Sequence, residues 1–84
     1  MYVKTFTALY GVIVNMELSK RIGENLKQAR KDKGFTQQQL AERLLMTQQQ
    51  YSRFENGIFE LNYHQILLLC ELLEISPNDL FDMS

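Results

Sequence analysis

Apolar residues recur every three or four positions along most of this chain, and short polar residues with cap chemistry open the later stretches. Between residues 20 and 32, Ile22, Leu26 and Ala29 share one face of a helix that Gly34 ends. Phe35 anchors the link to a second helix, opened by Thr36 with Gln39, in which Leu40, Ala41 and Leu44 face inward. A third opens with Thr47 and Gln50, buries Tyr51 and Phe54, and stops at Gly57. Only Leu45 to Thr47 separate these two helices, so the chain must turn sharply there, with Met46 in the connection and small Ala41 at the closest approach. Asn62 and Gln65 cap a fourth helix, whose inward residues are expected to be Tyr63, Ile66, Leu69, Cys70 and Leu73. Ser76, Pro77 and Asp79 begin a fifth: a cap, a proline at the first helical position and an acid near the positive end of the dipole. Leu80 and Phe81 then close the core. Residues 1–15 break this rhythm. The run YVKTFTALYGVIV is rich in β-branched and aromatic residues and reads as an extended strand bent at Gly11.

The two capped units between Thr36 and Gly57 resemble those of the lambda-repressor-like, Cro-type (xenobiotic-response-element type) helix-turn-helix family. The resemblance rests on Leu40-Ala41, the apolar series Leu44, Met46, Tyr51 and Phe54, and the closing Glu55-Asn56-Gly57, and it spans residues 22–81. It implies an all-α, five-helix domain over residues 19–84 whose third helix enters the DNA major groove, with residues 1–18 as an extended or β-strand extension. One departure stands in the turn, where Leu45 replaces the family's usual glycine; a left-handed leucine there costs about 1–2 kcal/mol. The resemblance further implies that Arg30 and Glu55 form a structural ion pair, and that Gln37 donates to a phosphate from the start of the second helix.

Charge sharpens this picture. The net charge is −1, which by itself argues against a polyanion partner, but its distribution along the chain points the other way. Residues 20–54 hold eight bases against three acids, whereas residues 55–84 hold six acids and no Lys or Arg. Phosphates respond to the charges that meet them locally, so an acidic tail directed elsewhere does not prevent binding. The alternative is that the bases merely solvate helix faces. On the third helix, Tyr51 and Phe54 are claimed by the core, which leaves Gln48, Gln49 and Arg53 outward. A glutamine amide matches adenine N6 and N7, and a guanidinium matches guanine O6 and N7. Gln48 and Gln49 are therefore expected at bases, Arg53 at a guanine or a phosphate, and Thr47 and Asn56 at phosphates. Gln50 is divided between DNA and its cap.

The remaining chemistry is sparse. Eighty-four residues make one domain with one core. A single cysteine, Cys70, sits in a leucine run, allows no internal disulfide and fits core packing in a reducing cytoplasm. His64 is the one histidine, with no second ligand beside it, so no metal, cofactor or enzymatic function is expected. No secretion signal or membrane span is apparent, and Met16 offers an alternative start of translation. Leu68 and Leu72 are left over by the core face of the fourth helix and are expected, with the amino-terminal strand, to form a homodimer interface. Two reading helices about 34 Å apart would match successive major grooves of an inverted repeat. The expected function is a transcriptional repressor on double-stranded DNA. The alternative is a protein-binding module, such as the antitoxin of a toxin pair.

Overall fold

The computed structural model describes residues 2–81, with side chains described from residue 17 onwards. Five helices follow one another: α1 (Tyr2–Lys33), α2 (Gln37–Arg43), α3 (Gln48–Glu55), α4 (Tyr63–Leu73) and α5 (Pro77–Phe81). The fold is the all-α five-helix arrangement that the spacing predicts. Cap chemistry decides where the short helices begin. Gln39 N donates to Thr36 Oγ1 at 3.1 Å while Thr36 N donates to Gln39 Oε1 at 2.8 Å. The same reciprocal pair recurs at Thr47 with Gln50 and at Asn62 with Gln65, and Ser76 with Asp79 repeats it before α5. Helices this short are not stable alone, so each cap, at about 1 kcal/mol, matters to registering the packing.

The amino-terminal segment departs from the strand that its composition predicts. Residues 2–18 are not extended: α1 runs for 32 residues, through Gly11 and through the expected boundary at residue 18. A strand needs partners for its backbone N–H and C=O groups, and the described residues contain no other strand. A helix already formed over residues 20–32, by contrast, extends with one hydrogen bond per residue fixed, against a propensity penalty of at most about 0.7 kcal/mol for an ordinary residue. The side chains of residues 2–16 lie outside the described residues, so the dimer contact expected of them does too.

Leu26 from α1, Leu40 and Ala41 from α2, Tyr51 and Phe54 from α3, Leu69, Cys70 and Leu73 from α4, and Leu80 from α5 form one buried cluster. Asn25 Nδ2 donates to the Leu80 carbonyl at 2.9 Å, tying α1 to the last turn of α5. Gly57, at φ +73°, stops the chain after α3 and lies so close to α1 that a Cβ there would sit 2.6 Å from Lys20 Cα. Helix α4 turns its expected face inward: Leu69, Cys70 and Leu73 are buried and Ile66 packs against the core cluster, while Tyr63 departs from expectation. Tyr63 and Leu67 point to solvent, at 88% and 63% exposed, whereas Leu68 and Leu72 are half-buried, Leu72 against the core cluster. Tyr63 occupies the first position of the helix, before the stretch that meets the core, so inward spacing alone does not bury it. Among the described residues, no helix is long and apolar enough to cross a membrane.

The turn between α2 and α3 carries backbone strain. Leu45 adopts φ 58° with its side chain 94% exposed, so its left-handed conformation is not compensated by burial. Met46 N donating to the Ala41 carbonyl at 3.0 Å and Leu45 N donating to the Glu42 carbonyl at 3.1 Å fix this geometry. Leu45→Gly should relieve about 1–2 kcal/mol of strain, offset by about 0.4–1 kcal/mol of added unfolded-state entropy. A rise of a few degrees in melting temperature is the expected result. A fall would mean that the turn is not left-handed in solution.

Candidate nucleic-acid interface

Two aromatic anchors on α3 set the direction of everything else on it. Tyr51 is fully buried and Phe54 nearly so; with these two three residues apart turned inward, the positions between and before them turn outward. Gln48, Gln49 and Arg53 are all exposed, and with Gln37 and Ser52 they line one shallow concavity. Ser52 is not among the residues expected from the sequence, although its spacing from Gln48 places it on that same face. Thr47 and Asn56 flank the helix, both exposed. Asn56 Nδ2 donates to Ser52 Oγ at 3.4 Å.

Cap and amide bonds determine which groups remain free. Gln50 Oε1 accepts from Thr47 N at 2.9 Å, so Gln50 serves the cap and keeps only its amide N–H groups for another partner. Thr47 Oγ1 accepts from Gln50 N, which leaves its hydroxyl proton to donate. Gln37 stands at the head of α2. Its Nε2 donates to Glu55 Oε1 at 3.0 Å, and its Oε1 lies 3.5 Å from Gln48 Nε2. One N–H of Gln37 remains for a phosphate, while its oxygen faces the first residue of α3.

Beneath this surface lies an ion pair. Arg30 Nε donates to Glu55 Oε2 at 2.6 Å and Nη2 to Oε1 at 3.2 Å, while Nη1 donates to the Phe35 carbonyl at 2.9 Å. Both side chains are removed from solvent, at 10% and 1% exposed, so Arg30 is not available to DNA. Burial pushes the Glu55 carboxyl upward, but hydrogen bonds from Arg30 and Gln37, with the nearby Tyr51 hydroxyl, outweigh it and hold the group below the ordinary carboxylate range. The Arg30 guanidinium is pushed up, chiefly by its bond to Glu55. Burial raises the Tyr51 phenol far above its usual value. Its hydroxyl is close enough to influence Glu55, yet makes no well-aligned hydrogen bond.

A pH dependence follows from Glu55. Its carboxyl loses its proton more readily in the folded chain than in the unfolded one, so the folded form binds fewer protons in that range. The stabilisation is complete above the unfolded value and is lost as pH falls through the folded one. Melting temperature should therefore decline on acidification through and below the ordinary carboxylate range, and Glu55→Gln should flatten that part of the profile. Equal acid sensitivity in both proteins would assign the decline to other carboxylates.

Other candidate chemistry does not converge. Burial, with a smaller push from Asp79, raises the Cys70 thiol, which disfavours the reactive thiolate. His64 is exposed in the first turn of α4, and no group of three potential metal ligands exists among the described residues.

Known proteins share this chain's sequence and fold. Residues 23–83 match the family described as the helix-turn-helix domain. The chain is 38% identical over 53 residues to the uncharacterized HTH-type transcriptional regulator YqaE of Bacillus subtilis, a match covering 63% of this chain and 46% of that protein. The chain thus spans less than half the length of this relative. The crystal structure of the restriction-modification controller protein C.AhdI from Aeromonas hydrophila superimposes with a TM-score of 0.71 at 27% identity, covering 79% of this chain and 96% of that one.

Proposed function

Because the chain belongs to the helix-turn-helix domain family, we propose that it is a transcriptional regulator that binds double-stranded DNA sequence-specifically, acting as a repressor on an inverted-repeat operator as a homodimer in the cytoplasm. One observation carries this reading: α3 is anchored by buried Tyr51 and Phe54 while Gln48, Gln49 and Arg53 stand exposed together on its opposite side. Such amides and a guanidinium on one helix have the donor and acceptor pattern that matches base edges in the major groove. Gln37, Thr47 and Asn56 flank them as phosphate contacts, and Gln50 contributes through its free N–H groups. Residues 19–84 act as the DNA-binding unit and residues 1–18 as its extension. The dimer contact is assigned to α4, where exposed Leu67 and Tyr63 join Leu68 and Leu72.

Selection of bound duplexes from a randomised pool tests the reading, and an inverted-repeat consensus is the expected outcome. Gln49→Ala should weaken binding to that consensus by roughly 5- to 150-fold, the loss of one bidentate base contact, with melting unchanged. Binding to random duplex should fall steeply with salt, each phosphate contact contributing about 0.9 to the slope. A flat salt response with no selected consensus would instead favour the protein-binding module.

A further inference from the structure

Arg53 has a neighbour that its position on α3 does not reveal. Its guanidinium carbon lies 5.4 Å from the centroid of the Phe59 ring, which belongs to a residue beyond the end of the helix. Among the described residues no carboxylate lies within ion-pair distance of Arg53, so the ring is the group that receives its charge. Phe59 is itself held from two sides. Its ring meets that of Phe54 edge-on, with centroids 6.2 Å apart and planes at 66°. Its backbone N–H and that of Ile58 both donate to the Arg53 carbonyl, at 3.3 and 2.9 Å. Phe54 is 8% exposed and part of the core, so the chain of contacts runs from core to ring to guanidinium.

We propose that Phe59 is a positioning residue that holds the Arg53 guanidinium ready at the carboxy-terminal end of the reading helix. The inference rests on the DNA-binding function proposed above and adds a specificity-determining residue outside α3. A cation over an aromatic face is attracted by the ring quadrupole without using its in-plane N–H donors. Those donors stay available for a guanine edge or a phosphate. A free arginine side chain loses rotamer entropy when it is immobilised on a ligand; a stacked one has already lost part of it, so the contact to DNA is correspondingly stronger. Phe59 remains 45% exposed, a costly placement for a phenyl ring unless its outer face has a partner.

Two measurements on the full chain decide the matter. In the free protein, NMR relaxation of the arginine Nε–H groups should show Arg53 more ordered than exposed Arg43, and Phe59→Leu should bring it down to the Arg43 level. Against the tightest duplex recovered from the randomised pool, at a temperature where both proteins are fully folded, Phe59→Leu should weaken binding about two- to five-fold and should cost nothing further in an Arg53→Ala background. Equal mobility of Arg53 and Arg43 would overturn the proposal, as would a Phe59→Leu loss that persists without Arg53. Wild-type protein that binds no duplex would refute the DNA-reading function and the purpose assigned to the stack together; the NMR result, obtained without DNA, separates that failure from an Arg53 that is simply not held.

Discussion

Glu55→Ala should lower the melting temperature by at least about 12 °C, since breaking a buried pair from one side costs about 3–5 kcal/mol and each kcal/mol moves the midpoint of a domain this size by about 4–8 °C. The substitution leaves the Arg30 guanidinium in a site where it is 10% exposed, with only the Phe35 carbonyl still accepting from it at 2.9 Å. Arg30→Ala should destabilise comparably, because it strands a carboxylate whose side chain is 1% exposed. The loss measures the stranded charge and not the net worth of the pair, since an apolar pair of similar volume can match a buried bridge in stability. Replacing both residues together should therefore cost much less than the sum of the single changes. A loss below about 1 kcal/mol in Glu55→Ala, as expected of a surface pair, would mean that the site is open to water. Glu55 also accepts from Gln37 at 3.0 Å, so its removal frees the head of α2 and should reduce DNA affinity at temperatures where the variant is still folded.

Gly23→Ala should destabilise the protein by about 3 kcal/mol or more, the upper end of what overpacking costs. Helix propensity alone predicts the opposite sign, since alanine is favoured over glycine by about 0.8–1.0 kcal/mol inside a helix. Packing decides between them. A Cβ on Gly23 would lie 2.4 Å from the Glu55 carbonyl oxygen and 2.6 Å from that of Phe54. Both are backbone atoms at the end of α3, which cannot swing aside as a side chain would. Helices α1 and α3 would have to separate, and the Arg30–Glu55 geometry depends on that separation. Denaturant unfolding should show a lower midpoint with an unchanged slope. A stabilised Gly23→Ala protein would show that the two helices pack less closely than described.

Helix starts and anchors were legible along the chain because their causes are local. A threonine or asparagine with a glutamine three residues on is a complete hydrogen-bonding unit, and it begins α2, α3 and α4 where the spacing places them. Tyr51 and Phe54 were recognisable as inward for the same reason, and the outward set of Gln48, Gln49 and Arg53 follows by subtraction. Composition misled at residues 2–18, where β-branched residues suggest a strand but a helix already under way sets the backbone. Periodicity found the inward face of α4 in Ile66, Leu69, Cys70 and Leu73 but not its edges: a run of leucines marks three sides of the helix as apolar, and only the neighbouring helices determine that Leu72 packs and Leu67 does not.

Two contacts had no sequence signal of their own. Phe59 reads as an ordinary loop residue until the end of α3 brings it under Arg53. Gly23 reads as a weak point in a helix until α3 arrives against it. The positions of caps, turns and apolar faces depend on hydrogen bonds and side chains a few residues apart, which the order of residues already contains. Which surfaces meet and how closely they approach depend on how the folded segments pack, and those distances exist only once the chain has folded.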